Sequence, residues 1–467
     1  MRSNLLSFAL FLFCLISPVF AAKPPRPNFL FIYTDDQRWD AMGVVQREQG
    51  SQARFPWLQT PNMDRLAREG MLFHNAFVVD SLCAPARADF LSGQYNHING
   101  VVNNHTPFPL TDITSSALLT AAGYDTAYFG KWHHGLQVER PGFTYIASFL
   151  GQGKYYDCPI NLNGVMTPTK GRIDDVTTDY AIDYLQHHDP NKPFDLVVGY
   201  KAPHEPRTPA EQDRHLYTGD EIRPPTNAEP RAIFLPPHPP TSLPTDKSPA
   251  DWKLDYFRVI TSTDRTLGRL LDALDTLHLT ENTIVIYCTD NGFYMGEHGL
   301  NDKRSAYDDS LRIPFIVRYP KLVKPGSSND AMVLNIDLAP TLLDFAGLPI
   351  PAEMQGRSFR PLLTNPDATW RHSFLYEYFH ERGYASPYVL AVRTAAAKLV
   401  TYPGHPEWTE LFDLSIDPGE KRNLISDPTA APLRVDMQAE LQSQLKATGY
   451  DLPKTVDPLD PNNPGHF

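Results

Sequence analysis

The sequence predicts an α/β protein with a mostly parallel β-sheet, helices on both faces of that sheet, and a small C-terminal α+β subdomain. Short apolar runs such as Asn28–Thr34 and Thr283–Thr289 have the composition of strands that are buried on both faces. Segments of helical periodicity alternate with such runs as far as Leu363, which is the order expected of a parallel sheet with crossover helices. After Leu363 the pattern changes to short strands and one final helix.

Turn and cap residues delimit the predicted elements. Gly70 and Gly123 follow two of the helices, and Pro85 lies in the first turn of another. The predicted strands are residues 28–34, 71–79, 125–129, 195–200, 283–289 and 313–319. The predicted helices are residues 62–69, 85–91, 115–122, 176–188, 251–277 and 336–345. In the C-terminal part we expect strands at 374–378, 389–393 and 398–402 and a helix near 433–447. This pattern divides the mature chain into a large N-terminal domain, 22–364, and a C-terminal subdomain, 365–467.

The composition is that of an acidic globular protein. The chain has 467 residues, 42% of them hydrophobic, and its formal net charge is 42 − 54 = −12. An acidic balance argues against binding along a nucleic-acid backbone, although a local group of basic side chains can still hold a small anion. Twelve of the 44 prolines lie in residues 203–250, which predicts a long irregular excursion at the surface.

Residues 1–21 have the pattern of a cleaved signal peptide. Arg2 supplies positive charge, residues 5–20 are an apolar run, and Val19-Phe20-Ala21 fits a small-residue cleavage site. A membrane anchor is the alternative, but the run is short for a span of about 20 residues and no second run of that length follows. We therefore expect a secreted or periplasmic protein without stable membrane insertion.

Polar side chains follow four of the predicted strands, at the point where each strand ends. In a doubly wound sheet the ligand crevice lies beyond the carboxyl ends of the strands, so these side chains are expected to converge. They are Asp35, Asp36, Lys131, His133, His204, Asp290 and Asn291. Taken singly, each has an ordinary interpretation, because Asp-Asp and Asp-Asn-Gly are common in turns and most histidines are structural. Their joint position at strand ends favours a site.

Three carboxylates and one amide oxygen in this set indicate a metal site. Hard oxygen ligands suit Ca²⁺ or Mg²⁺ and suit zinc poorly. Without a cation, the converging carboxylates of Asp35, Asp36 and Asp290 would repel one another. Because Ca²⁺ tolerates irregular oxygen geometry, we expect one Ca²⁺ ion, with Mg²⁺ as the alternative.

The most specific local feature is Cys83-Ala84-Pro85-Ala86-Arg87, within SLCAPARADFLSGQY. This stretch resembles the C/S-x-P-x-R signature of the type I, formylglycine-dependent sulfatases. Other segments resemble the family in the same order: Asp35-Asp36, Gly130-Lys131-Trp132-His133, Pro203-His204, Asp290-Asn291-Gly292, Lys303, Phe412-Asp413-Leu414 and Asp417-Pro418-Gly419-Glu420. One departure is His134, where the family often has Leu after Lys-Trp-His.

The resemblance implies an alkaline-phosphatase-like α/β fold and the hydrolysis of sulfate monoesters to alcohol and sulfate. It implies that a maturation system oxidises Cys83 to formylglycine, whose hydrated aldehyde supplies the nucleophile. It also implies that the Ca²⁺ ligands are Asp35, Asp36, the residue derived from Cys83, Asp290 and Asn291.

The resemblance assigns roles to the remaining site residues as well. Arg87, Lys131 and Lys303 would neutralise the sulfuryl oxygens together with the cation. His204 or Lys303 would protonate the leaving alcohol. His133 would then take the proton of the second hydroxyl of the hydrated aldehyde, so that sulfate is expelled.

Three stretches bear on the substrate. Residues 97–104, 155–159 and 161–164 resemble the carbohydrate branch of the family, which includes N-acetylglucosamine-6-sulfatases. We therefore expect a sulfated sugar or glycan as the substrate, and the alternative is that these stretches only shape the packing of loops. For the whole chain, the alternatives are a phosphonate or phosphate ester hydrolase on the same scaffold and a non-catalytic glycan-binding protein.

Overall fold

The computed structural model describes residues 26–235, 249–384 and 386–453, so the predicted signal peptide at 1–21 lies outside the described residues. The strands are β1 (Asn28–Thr34), β2 (Met71–Phe73), β3 (Ala76–Phe77), β4 (Asp125–Lys131), β5 (Tyr145–Phe149), β6 (Ile160–Leu162), β7 (Val165–Thr167), β8 (Phe194–Gly199), β9 (Thr283–Thr289), β10 (Ile316–Arg318), β11 (Ser327–Asn329), β12 (Val333–Leu334), β13 (Ser373–Tyr378), β14 (Val389–Thr394), β15 (Ala397–Thr401) and β16 (Glu410–Asp413). The α-helices are α1 (Gly43–Gln49), α2 (Pro61–Glu69), α3 (Cys83–Ser92), α4 (Asn96–Asn99), α5 (Ser115–Ala121), α6 (Ile173–His187), α7 (Pro249–Thr276), α8 (Asp308–Leu311), α9 (Leu338–Ala346) and α10 (Ala431–Thr448).

A ten-stranded sheet with the order β11-β2-β10-β9-β1-β8-β4-β5-β6-β7 forms the centre of the molecule. Its five middle strands, from β9 to β5, pair in parallel. The short strand β10 runs antiparallel to β9. At the other end of the sheet, β6 is antiparallel to β5, and β7 is antiparallel to β6. The carboxyl ends of β9, β1, β8 and β4 therefore meet at one edge, as the sequence predicts.

The two faces of this sheet carry separate apolar layers, and β1 shows how one strand serves both. Leu30 and Ile32 pack in the layer that holds α2, α6 and α7. Phe29 and Phe31 point the other way, into the layer that holds α3, α5 and α9. All seven residues of β1 are buried. Each large apolar side chain buried this way stabilises the fold by about 1.5–3 kcal/mol.

Some predicted elements are wrong in extent. The single strand predicted at 71–79 is two short strands in different sheets, because the chain bends at His74 and Asn75. The backbone N–H of His74 donates to the carbonyl oxygen of Asn329 at this bend, 3.0 Å away. The strand predicted at 313–319 shortens to the three residues of β10, which pair antiparallel with β9. The sequence prediction also missed β5, β6, β7, β11, β12 and β16.

The proline-rich excursion predicted at 203–250 lies partly outside the described residues, at 236–248. Its described first part, residues 203–235, contains one short 3-10 helix, Glu211–Asp213, and is otherwise irregular. Among residues 26–235, 249–384 and 386–453, no helix combines the length and the apolar character needed to cross a membrane.

The C-terminal part is an antiparallel sheet of β13, β14, β15 and β16, covered by α10. Its core is continuous with that of the first part, because Phe77 and Tyr307 pack in the same cluster as Leu375 and Leu399. The backbone N–H of Glu377 in β13 donates to the carbonyl oxygen of Val79 at 2.9 Å. The predicted C-terminal α+β arrangement is confirmed, and the exact boundary at 364 stays a prediction.

Glu410 of β16 is a buried carboxyl group at the junction between the two parts. The hydroxyl of Tyr402 donates to it at 2.7 Å, and the hydroxyl of Tyr307 donates at 3.0 Å. Burial raises the pKa of Glu410 to about 7, although the two tyrosine hydrogen bonds and the charge of Lys398 act in the opposite direction.

We predict that Glu410→Gln changes how stability depends on pH. A carboxyl group whose pKa is raised by folding contributes most below its unfolded pKa of about 4.3, and that contribution is lost as pH rises through about 7. The glutamine variant cannot ionise, so its stability relative to the wild type should rise by roughly 2–3 kcal/mol between pH 5 and pH 8. Urea unfolding at several pH values measures this, with the exposed Glu407→Gln as the control. Parallel pH profiles for wild type and variant would contradict the prediction.

Candidate active site

The structure brings the predicted site residues together at the carboxyl edge of the parallel strands. Asp35 and Asp36 follow β1, Asp290 and Asn291 follow β9, and Lys131 is the last residue of β4. Cys83 begins α3, whose amino end faces the same point. All of the predicted site residues are buried except His204, whose side chain is 18% exposed.

Arg87 links the carboxylates that come from different strands. Its Nη2 atom lies 2.8 Å from Asp35 Oδ2 and 2.7 Å from Asp290 Oδ2, and its Nε atom donates to the same Asp290 oxygen at 3.0 Å. Lys131 forms an ion pair with Asp35, and Lys303 forms one with Asp36. Three buried cations therefore offset three buried carboxylates.

The thiol of Cys83 sits inside this charge network. Its Sγ atom lies 3.4 Å from Asp35 Oδ1 and 3.5 Å from Lys303 Nζ. Burial and the negative charge of Asp35 raise the pKa of Cys83 well above the usual value. The unmodified side chain is therefore a neutral thiol at physiological pH and a poor nucleophile.

The acidic residues form an oxygen-rich group that could hold a divalent cation. One carboxylate oxygen from each of Asp35, Asp36 and Asp290 lies within 4.8 Å of the others. Asn291 Oδ1 is a buried acceptor without a hydrogen-bond partner in the described part of the chain. Such an orphaned oxygen beside three carboxylates is what a ligand position for a hard cation needs, so the residues fit Ca²⁺ or Mg²⁺.

The pKa values of two of these carboxyl groups move in opposite directions. Burial and the neighbouring charge of Asp35 raise the pKa of Asp290 to about 6. Burial also acts to raise the pKa of Asp35, but the charges of Lys131, His204 and Arg87 outweigh it and hold the value well below normal. The closely spaced carboxylates cannot all ionise freely without positive charge beside them.

The two site histidines differ in their partners. His133 is buried, and its Nδ1 atom has no hydrogen-bond partner among the described residues. Burial, with the charges of Lys131 and Arg87, lowers the pKa of His133 well below normal, which keeps it neutral and able to accept a proton. His204 Nε2 lies 4.0 Å from Asp36 Oδ2. Burial and the charge of Lys131 lower the pKa of His204 as well, so a bound anion must offset this effect before His204 can donate a proton.

Sequence reasoning missed two residues that contact the site elements, Gln152 and Asn104, and a third, Glu381, that holds Asn104. Gln152 Oε1 accepts from Lys131 Nζ at 2.6 Å. Asn104 Oδ1 accepts the backbone N–H of Ala84, the second residue of α3, at 3.0 Å. Glu381 accepts the backbone N–H of Asn104 at 3.0 Å and also pairs with Arg304. No sequence signal points to Gln152 or Glu381, because loops distant along the chain supply them.

The stretches that resemble the carbohydrate branch make mainly internal contacts. His97 is paired with Glu377, 2.7 Å away, and its backbone N–H donates to the same carboxylate. Asn103 Oδ1 accepts the backbone N–H groups of His105 and Thr106, which closes a turn. These contacts order the loops around α3.

The site combines buried carboxylates with buried arginine and lysine side chains at the strand ends of an α/β sheet. The carboxylates suit a divalent metal ion, and the basic side chains suit a small tetrahedral anion. The sequence model of the sulfatase family matches residues 27–348, and the model of the N-sulphoglucosamine sulphohydrolase C-terminal region matches residues 296–447. The chain therefore belongs to the sulfatase family and is a sulfuric ester hydrolase.

Similar proteins are known from both sequence and structure. An N-acetylglucosamine-6-O-sulfatase of Bacteroides thetaiotaomicron is 32% identical over 513 aligned residues, covering 92% of this chain and 89% of the relative. A solved structure in complex with D-glucosamine-2-N,6-O-disulfate, named as that protein's substrate, has a TM-score of 0.83 at 29% identity and covers 93% of this chain and 100% of its own.

A more distant structure shares the fold alone. The phosphonate monoester hydrolase of Agrobacterium radiobacter has a TM-score of 0.75 at 22% identity, with coverage of 91% of this chain and 96% of that chain. Together with the family match, these neighbours confirm the predicted alkaline-phosphatase-like fold class.

His134, the departure from the family pattern, lies in an aromatic pocket. Its ring centroid is 5.0 Å from that of Trp132 and 5.5 Å from that of Phe108. The side chain is fully buried, and neither ring nitrogen has a hydrogen-bond partner in residues 26–235, 249–384 and 386–453. A buried polar group without partners destabilises a fold.

We predict that His134→Leu stabilises the protein by about 1–2 kcal/mol, because it removes two unpaired buried nitrogens and keeps an apolar group of similar size in the pocket. Lys131 and His133 keep their places, so turnover should stay within about twofold of the wild type. Urea unfolding and a turnover assay measure the two effects. His134→Ala is the control, since the cavity it leaves should destabilise the protein. Equal loss of stability in both variants would contradict the prediction.

Proposed function

We propose that this sulfatase is an exported enzyme that removes sulfate from a sugar, with the 6-O-sulfate of a glucosamine unit as the leading candidate. The observation that supports this most directly is the position of Cys83, at the amino end of α3 between Asp35 and Lys303. The similarity to an N-acetylglucosamine-6-O-sulfatase over 92% of the chain supports a sugar substrate. The sequence pattern at residues 1–21 supports export to the periplasm or the exterior.

The proposed chemistry needs two groups that the chain acquires after synthesis. A formylglycine at position 83 would supply a hydrated aldehyde as the nucleophile, and a Ca²⁺ ion would supply positive charge for the nucleophile and the sulfate. The proposed ion ligands are Asp35, Asp36, Asp290, Asn291 and the residue derived from Cys83. Asp290 is assigned to the nucleophile as well as to the ion, because its charge acts on the side chain at position 83.

The remaining residues would bind the sulfate and move protons. Arg87, Lys131 and Lys303 are buried and converge on the carboxylates, so they are placed to neutralise the non-bridging sulfate oxygens. His133 is kept neutral, which suits the base that deprotonates the sulfated intermediate. His204 borders the partly exposed side of the site, where the alcohol would leave. Burial and the charge of Lys131 lower the pKa of His204, and the negative charge of a sulfate ester would favour its protonated form.

A phosphonate or phosphate ester hydrolase is the second candidate, because phosphate and sulfate share their geometry. It has weaker support, since the phosphonate hydrolase neighbour is 22% identical and establishes the fold alone. A non-catalytic glycan-binding protein is disfavoured because the chain has a chemically suitable residue at every position proposed for the nucleophile, the acid and the base.

We predict that Cys83→Ala abolishes hydrolysis of 6-O-sulfated N-acetylglucosamine. The fold should remain, because alanine fits where the small buried thiol was. Mass spectrometry of the peptide around residue 83 should show formylglycine in active wild-type enzyme. A panel of aryl sulfate, aryl phosphate and aryl phosphonate separates the candidate reactions. More than a few per cent of residual activity in Cys83→Ala, or faster turnover of the phosphorus esters, would refute the proposal.

We predict one Ca²⁺ ion per chain in the active enzyme. Asp290→Ala should lose both the ion and activity, because the same carboxylate is assigned to the metal and to the nucleophile. Elemental analysis of purified wild type and variant measures the ion. The control is Asp195→Asn, which alters a buried carboxyl group of β8 that accepts a hydrogen bond from Ser116 of α5. Zinc at unit stoichiometry without calcium or magnesium would contradict the metal assignment.

A further inference from the structure

Lys201 is a buried cation for which the proposed reaction has no role. It follows β8 and precedes His204 by three residues, and its side chain is fully buried. Its Nζ atom donates to two backbone carbonyl oxygens, those of Gln152 and Glu205, each at 3.0 Å. It also lies 5.2 Å from the centre of the Tyr155 ring. Lys201 thus joins the loop after β5 to the loop that carries His204.

The orientation of the His204 ring is set by its backbone neighbours. His204 Nδ1 lies 2.8 Å from the carbonyl oxygen of Glu205. A carbonyl only accepts, so Nδ1 carries the hydrogen and Nε2 faces Asp36. That carbonyl is the one Lys201 holds, and the hydroxyl of Tyr155 donates to the carbonyl oxygen of His204 itself at 2.8 Å. Both backbone carbonyls around the histidine are therefore held by buried side chains.

We propose that Lys201 and Tyr155 are positioning residues that fix His204 so that Nε2 points at the oxygen of the leaving alcohol. This inference rests on the proposed function, in which His204 protonates that oxygen. A proton donor must lie within hydrogen-bond reach of the atom it protonates, so a small rotation of the ring costs rate. A sugar alkoxide needs a full proton to leave, whereas an aryl oxide needs little. Loss of this positioning should therefore lower turnover of a sugar sulfate more than turnover of an aryl sulfate.

Lys201 has a second connection that the experiment must separate from the first. It holds the backbone of Gln152, whose side chain accepts from Lys131. Lys201→Met would therefore disturb a sulfate-binding lysine as well as His204. Tyr155 contacts the carbonyl of His204, and Tyr155→Phe removes a single oxygen. Tyr155→Phe consequently tests the His204 connection alone.

The test compares turnover of 6-O-sulfated N-acetylglucosamine and 4-nitrophenyl sulfate by the mature holoenzyme. Tyr155→Phe and Lys201→Met should each lower kcat on the sugar sulfate about 10–100-fold, within the range of general acid catalysis. Tyr155→Phe should change kcat on the aryl sulfate less than threefold, and its KM on the sugar should stay within threefold. The matched control is Tyr124→Phe, because Tyr124 is also buried but its hydroxyl has no hydrogen-bond partner among the described residues.

Double variants show whether the effect passes through His204. Added to His204→Ala, Tyr155→Phe should cause no further loss on the sugar sulfate, because the group it positions is already absent. Equal losses on both substrates in Tyr155→Phe, or additive losses in the double variant of Tyr155→Phe and His204→Ala, would overturn the positioning role. If His204→Ala selectively slows the sugar and Tyr155→Phe does not, this inference fails and the proposed function stands. If the mature wild-type enzyme hydrolyses neither substrate, both this inference and the proposed function are overturned.

Discussion

The folded site depends on the close approach of three buried carboxylates. Asp35, Asp36 and Asp290 come from the ends of two adjacent parallel strands, and burial removes the water that would otherwise screen their repulsion. Arg87 offsets this by contacting Asp35 and Asp290 at once. Removing one member of such a network leaves an uncompensated buried charge, so its parts constrain one another strongly.

This constraint explains local backbone geometry that would be unfavourable elsewhere. Asp36 and His133 both adopt left-handed backbone conformations, with φ angles of 70° and 60°. Gly130, just before Lys131, has a φ of 84°, and a Cβ atom there would lie 2.0 Å from the carbonyl oxygen of Gly199. Glycine therefore allows β4 and β8 to approach closely at the point where Lys131 turns toward Asp35. Two of the left-handed residues, Asp36 and His133, thus belong to the site, whereas others such as Tyr217 and His278 lie elsewhere in the chain.

The sequence could predict most of the site because its residues are attached to short buried strands. A strand such as β1 has a clear apolar pattern, and its first polar residues must lie at a sheet edge. The same reasoning fails for Gln152, Asn104 and Glu381, because their positions depend on how loops far apart in the chain pack. Glu381 accepts a hydrogen bond from the backbone N–H of Asn104, which is 277 residues away in the chain. Strands β5 and β16 were missed for a related reason: they mix polar and apolar residues, and only pairing with a neighbouring strand defines them.

The state of Cys83 connects the charge network to the chemistry. In a cysteine hydrolase, nearby positive charge lowers the pKa of the thiol and produces a thiolate. Here the nearest carboxylate, Asp35, acts with burial in the opposite direction and raises the pKa of Cys83. Lys303 lies 3.5 Å from the sulfur, but it is also paired with Asp36, which offsets its charge. Among the protein groups, burial and Asp35 therefore favour the neutral thiol of Cys83 over the thiolate. The protein groups around Cys83 thus do not activate the thiol as a cysteine hydrolase would, which agrees with the proposal that position 83 acts after conversion to formylglycine.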